Sequence, residues 1–471
     1  MEKQYQKVHL GKAACGLDLG DGSERAEYVN QDYILWKLKR PHRCVNIMYT
    51  LYPHDEQWPQ RISEACKDME IHFQWDYPYD DYFPYGVGGQ PFEQMKDIRR
   101  HGQDVLLTLT VDCGLSDDEL RAVARDLRQF GRMRIRINHE CTGDWFTHNK
   151  RYSFEEIGQF FVRFDRIIKE EAPNVQTILC AGFLKDDGSE MEQEKALIDA
   201  YKAADIWSAD RYLALHYGWP YDIAEAGGGK YTATSVDYTF EAYKKTAAYL
   251  TKLCGAKPMT TAEFNVDGDV TGAAEQGEAV KRFAWRVRDE KADWFQGISM
   301  YQFRDRGRLG LEQEDPNNKG VGIEQPLLKD YQEVLADPYF NPVMTAGEQA
   351  QFPAMLRWGG SEDADGICVP VTFEKQPDFC EITIEDEIGM MLNVNGRWFY
   401  KAPATKTIDL MPAFWENPVA AGQTVTVSMF APPADGINPV TDKEDWATNY
   451  YAELKSAPQF RIRYEVPGKV G

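Results

Sequence analysis

The sequence predicts an α/β fold: a parallel (β/α)8 TIM barrel followed by a C-terminal β-sandwich. Three observations lead there. Strand-like and helix-like segments alternate from about residue 43 to 335, the pattern of a parallel sheet with covering helices. From about residue 350 the texture changes to short alternating stretches broken by Gly, Pro, Asn and Asp. Finally, Glu140 and Glu263 each close a strand-like run and are followed by turn residues, the place where parallel barrels hold their chemistry.

Eight segments read as barrel strands: 43–50, 69–75, 104–111, 132–139, 175–182, 204–210, 257–263 and 297–303. The helices between them are well punctuated. Ser116 and Glu119 form a capping box, followed by Leu120, Val123, Ala124, Leu127 and Phe130 at helical spacing, with Gly131 beyond the end. Ser153 and Glu156 repeat the device, and Pro173 stops that helix. Helices are also expected over 239–253 and 274–292.

The barrel is expected to span 43–340 and the sandwich 350–471, joined by a connector with Pro338, Pro342 and Gly347. In the sandwich, Asn395-Gly396 reads as a hairpin turn. Residues 1–42 read as an extension of short strands and glycine turns, added to the sandwich or closing the bottom of the barrel.

A formal charge of −22 repels phosphate backbones and excludes nucleic acid as a natural partner. A neutral or cationic substrate is favoured. No apolar run reaches the roughly 18 residues needed to span a bilayer. No signal peptide is legible at the start, so the expected location is the cytoplasm, or outside the cell if a signal has been removed. Nine dispersed cysteines without CxxC spacing read as reduced thiols, neither a disulfide frame nor a zinc site. The 60 aromatic residues suit either a large core or a cleft lined with rings that stack on sugars.

The most specific segment is Arg136-Ile-Asn-His139-Glu140-Cys-Thr142-Gly143-Asp-Trp145-Phe146. It resembles the strand-four signature of glycoside hydrolase family 26, a clan A family best known for β-mannanases, with Thr142 in place of the family Asn. Asp205-Ile-Trp-Ser-Ala-Asp210-Arg-Tyr212 is similar to the family's strand-six pattern, and Thr261-Ala-Glu263-Phe264 to its strand-seven segment. The resemblance covers about residues 115–305. It implies a retaining glycosidase acting on a β-linked glycan, mannan or a related poly- or oligosaccharide, without metal or organic cofactor.

The resemblance also implies roles. Glu140 is the expected acid/base and Glu263 the expected nucleophile. Carboxyls in that relationship lie ~5–5.5 Å apart and cannot both ionise cheaply, so Glu140 is expected to hold a proton. His139 is expected to bond the nucleophile or the sugar, and Tyr212 to donate its hydroxyl to Glu263. Arg136 shares Glu140's face of the strand and is expected to pair with a carboxylate deeper in the barrel. Trp145 is expected to stack on the sugar. Strand eight carries Tyr301 where clan members commonly place a tryptophan.

Other residues are open to two readings. His216 and Trp219 after strand six, and Trp75 after strand two, line the cleft or pack among themselves. Arg304, Arg306 and Arg308 clamp an acidic sugar or pair with neighbouring carboxylates. Trp398, Tyr400 and Trp415 are sandwich platforms or core residues. Against the hydrolase stand a glycan-binding protein that has lost catalysis and an enzyme acting on acidic sugars through the arginine loop.

Overall fold

The structure is a computed structural model, and it describes residues 4–21, 27–55, 82–142, 152–182, 191–213, 235–439 and 448–465. Eight parallel strands close into a barrel: β2 (Gly16–Gly20), β3 (Cys44–Leu51), β4 (Asp104–Val111), β5 (Met133–Ile137), β6 (Val175–Cys180), β7 (Ile206–Ala209), β8 (Met259–Thr261) and β9 (Phe295–Met300). β2 pairs with both β3 and β9, which shuts the ring. The helices α1 (Gln31–Leu38), α2 (Gln90–Arg100), α3 (Asp117–Leu127), α4 (Phe154–Glu171), α5 (Met191–Ala203), α6 (Ser235–Cys254) and α7 (Ala273–Glu290) fall between successive strands.

Both predicted capping boxes form. The Ser116 and Ser153 hydroxyls accept from the backbone N–H of Glu119 and Glu156, whose carboxylates accept in return from the serine N–H groups. The apolar stripes behind them, Leu120 to Leu127 and Ile157 to Ile168, are buried against the strands in one core that runs around the barrel.

One strand differs from expectation. The barrel begins with Gly16–Gly20, inside the segment read as an extension. β3 pairs directly with β4 over eight residues; the stretch 69–75 lies outside the described residues. Gly-Leu-Asp-Leu-Gly is short and bears two apolar side chains, yet all five residues are buried because a closed barrel covers both faces of a strand. One strand gained early offsets the one displaced, so β5 is still the fourth in the ring.

The foot of the barrel is polar. The Arg43 guanidinium donates to both oxygens of Asp18, at 2.9 and 2.6 Å, and to the carbonyl of Gln296. Glycine at 16 and 297 leaves room for the Arg43 side chain, which an added Cβ would meet at 2.4 and 2.2 Å.

The sandwich has an eight-stranded antiparallel sheet facing a three-stranded one, with their own core between them. Asn395 and Gly396, both at positive φ, make the expected hairpin turn between Met390–Val394 and Arg397–Lys401. The connector differs from expectation: Val343–Gln349 is a strand. It pairs with β1 (Gln6–Gly11), which also pairs with Ala364–Thr372. The N-terminal forty residues therefore supply one strand to each layered unit. The outer face of the large sheet packs Trp358, Met391 and Trp398 with Leu35 of α1, and Ser361 donates to Asp104 at the base of β4. No described helix is long and apolar enough to cross a membrane, and no disulfide joins the described cysteines.

Candidate active site

β5, β7, β8 and β9 end on the same rim of the barrel, and the titratable side chains converge there. β5 does not end smoothly. Asn138 and Glu140 both take φ of 49°, a region that non-glycine residues seldom occupy. The Asn138 carboxamide accepts from the N–H of Val111 at 2.7 Å and so anchors the turn to the end of β4. This backbone turn presents His139 and Glu140 to the centre of the rim.

His139 Nε2 donates to Glu263 Oε1 at 3.1 Å and lies 3.1 Å from Asp210 Oδ2 and 3.9 Å from Glu140 Oε2. One imidazole nitrogen thus touches three carboxyl groups. The facing oxygens of Glu140 and Glu263 can be no farther apart than the two legs through that nitrogen, about 7 Å. Tyr212 donates its hydroxyl to the second oxygen of Glu263 at 2.7 Å. Asp210 Oδ1 accepts from the Glu263 backbone N–H at 2.9 Å. Glu263 is therefore gripped at its backbone and at both carboxylate oxygens.

Charge follows this geometry. Burial pushes the Glu263 carboxyl up, but the His139 and Arg136 charges and the His139 and Tyr212 donors outweigh it and hold it down at about 2. Asp210 goes the other way. Burial, then the Glu140 and Glu263 charges, push its carboxyl well above the usual carboxylate range, and it shares a hydrogen bond with Glu140. Burial and the Glu263 charge likewise raise the Tyr212 phenol, which stays a donor.

Tyr301 closes the site at the end of β9, its ring edge-on to Tyr212 with centroids 5.8 Å apart. The Asn265 carboxamide donates to the Tyr301 carbonyl at 2.5 Å and ties the ends of β8 and β9 together. Thr142, where the family pattern has Asn, accepts from the N–H of Gly182 and so joins the turn after β5 to the end of β6.

One expectation needs correction, and two readings left open are narrowed. Arg136 is fully buried below Glu140, but its Nε donates to Thr108 Oγ1 at 2.8 Å, and no carboxylate pairs with its terminal nitrogens among the described residues. It influences Glu263 and Asp210 as a charge across a gap, because Thr108 and Asn46 occupy its layer. In the arginine loop, pairing with neighbouring carboxylates holds for two of the three arginines. Arg304 is buried and bonds Glu312 at 2.8 Å, since an acidic strand partner lies opposite it, and Arg308 pairs with Asp269; the Arg306 side chain is exposed to solvent and pairs with no carboxylate among the described residues. Trp398 is core, stacked on Phe430, and Tyr400 packs on His101 at 4.3 Å; Trp415 stands in solvent. Trp75, Trp145, His216 and Trp219 lie outside the described residues.

Asp210 is the member of the cluster to which sequence reasoning gave no role. The signal was present: it stands two residues before Tyr212, so on extended backbone the two side chains share a face. Cys180, at the end of β6, is one of the cysteines read as reduced thiols, and its Sγ lies 3.8 Å from Asp210 Oδ1.

No family model matches this chain, and no curated protein matches it. Solved structures do resemble it in shape. An alpha-L-arabinofuranosidase from Thermotoga maritima, in its arabinose complex, is 11% identical over 97% of this chain and 99% of its own, with a TM-score of 0.47. A GH51 alpha-L-arabinofuranosidase from Thermotoga petrophila is 10% identical over 97% and 99%, at 0.46. A modular endo-beta-1,4-mannanase from Cellulomonas fimi is 12% identical over 94% and 95%, at 0.44. Likeness at this level carries no functional argument, which rests instead on the site itself.

Proposed function

We propose that this protein is a retaining glycoside hydrolase that cleaves a β-linked glycan by double displacement, with Glu263 as nucleophile and Glu140 as acid/base. What carries the reading is the treatment of Glu263. A carboxylate buried in a barrel mouth, held ionised and oriented by two side-chain donors, is prepared to attack rather than to brace. A second glutamate, Glu140, stands within reach of the same sugar-sized space.

In the first step the Glu263 carboxylate attacks the anomeric carbon while Glu140 gives its proton to the departing glycosidic oxygen. The bond to the leaving group breaks and a glycosyl ester forms on Glu263. In the second step Glu140 takes a proton from water, the water attacks the anomeric carbon, and Glu263 leaves as a carboxylate. Each face of the sugar is inverted once, so configuration is retained. The facing oxygens of the two carboxylates lie at most about 7 Å apart, near enough to serve one sugar ring.

His139 and Tyr212 hold the nucleophile on its trajectory. Asp210 fixes the Glu263 backbone, and burial with the Glu140 and Glu263 charges holds its carboxyl well above the usual carboxylate range. Glu140→Ala is expected to lower turnover of β-linked oligosaccharides by ~10²–10⁴-fold while binding persists. Followed by NMR, the wild-type protein should release the β-anomer first. Release of the α-anomer, or undiminished turnover by Glu140→Ala, rules the proposal out.

A further inference from the structure

Cys180 lies in the wall of the candidate site, and the proposed hydrolysis does not use it. Its Sγ is fully buried, 3.8 Å from Asp210 Oδ1, while Asp210 Oδ2 is 3.1 Å from His139 Nε2. One donor atom each from His139, Cys180 and Asp210 falls within 4.8 Å of the others. A tetrahedral zinc ion with bonds of about 2.0–2.3 Å sets its ligand atoms roughly 3–4 Å apart, so small side-chain rotations suffice to close this triad on a metal.

The three come from β5, β6 and β7 or the turns that end them. Adjacent barrel strands hold the set together, as they hold the carboxylates. The donors are one sulfur, one imidazole nitrogen and one carboxylate oxygen. That set suits a late first-row divalent ion and does not suit calcium or magnesium, which take oxygen ligands. A thiolate and a carboxylate also supply two negative charges to match a divalent cation.

We propose that His139, Cys180 and Asp210 form an inhibitory site for zinc and related thiophilic divalent ions. On binding, the thiol gives its proton to solvent and forms the sulfur–metal bond. His139 likewise gives its Nε2 proton to solvent, coordinates through the freed lone pair and keeps its other proton on Nδ1, and Asp210 binds as the carboxylate. Glu263 thereby loses its imidazole donor, and Asp210 is drawn from the Glu263 backbone. The predicted consequence for turnover rests on the hydrolase reading above; the metal site itself does not.

Cobalt(II) makes the site visible without any substrate. The full-length protein with one equivalent of cobalt(II) is expected to show a thiolate-to-metal charge-transfer band in the near ultraviolet. Cys180→Ser should lose it, and Cys368→Ser, which alters a buried thiol in the sandwich, should keep it. Zinc should inhibit turnover, and Cys180→Ser, measured against its own metal-free rate, should need at least ~10-fold more zinc for the same fractional inhibition. Magnesium at equal concentration should do nothing. Absence of the band, or its survival in Cys180→Ser, overturns the site whether or not the protein proves to be a hydrolase. Equal zinc sensitivity of an active Cys180→Ser overturns the inhibitory role.

Discussion

At the scale of single residues, the account turns on how Glu263 is held. The Tyr212 hydroxyl supplies one of two side-chain donors to that carboxylate. A hydrogen bond to a charged group contributes about 1.5–3 kcal/mol, so Tyr212→Phe should lower kcat by roughly 10- to 100-fold. The same loss has a pH signature. Glu263 has a depressed folded value, so it must stay ionised for activity until the pH falls toward about 2. Removing a donor raises that value, and the acid limb of the pH–rate profile should move upward in Tyr212→Phe. A lower kcat with an unmoved acid limb would assign the tyrosine to packing alone. Glu140 and Glu263 were legible from sequence because each closes a strand-like run, where chain direction dictates the end of the barrel, whereas His139 and Tyr212 were named by the resemblance alone. Arg136 was misread because its partner, Thr108, is set by strand register, which local sequence does not carry, and the same lack left Arg304 open between two readings, which Glu312 opposite it decides.

At the scale of elements, the turn after β5 decides whether His139 and Glu140 point inward. Its two positive-φ residues are pinned by the Asn138 carboxamide on Val111 N–H. Asn138→Ala removes that bond and places alanine where asparagine is better tolerated, at a cost of about 1–2 kcal/mol. Denaturant melts should register that loss, together with a fall in kcat. Asn138→Gly relieves the backbone and leaves only the missing bond, so it should be milder in both; equal effects would locate the cost elsewhere. Capping boxes and amphipathic stripes made α3 and α4 readable to within a residue or two. β2 escaped because a buried parallel strand needs no alternation, and its glycines, Gly16 packed beside Arg43 and Gly20 beside Gln302, look like turn residues. Val343–Gln349 escaped because most of it is exposed at a sheet edge, with no apolar face to betray it.

At the scale of the whole molecule, barrel and sandwich are joined through a titratable contact. His101, at the end of α2, lies 2.9 Å from Asp32 and 3.4 Å from Asp97, and its ring packs on Tyr400 of the sandwich. Burial pushes its pKa down, but Asp32 and Asp97 outweigh that and raise it to about 9. A raised histidine contributes its stability fully below the unfolded value near 6.5 and loses it as the pH climbs through about 9. The contribution is at most about 3 kcal/mol, and less because Asp32 faces solvent. Thermal melts should therefore show stability falling between about pH 6.5 and 9, with a flatter profile in His101→Gln. An identical slope in the variant would remove His101 from the seam.

The central claim is a covalent bond between sugar and protein at Glu263, and trapping that bond tests it most directly. A panel of 2-deoxy-2-fluoro β-glycosides with good leaving groups slows release of a glycosyl ester, and the labelled protein can be digested and read by mass spectrometry. The account predicts one sugar mass on the peptide carrying Glu263. A label on Glu140 or Asp210 instead, or turnover of these glycosides with no ester formed, would contradict it.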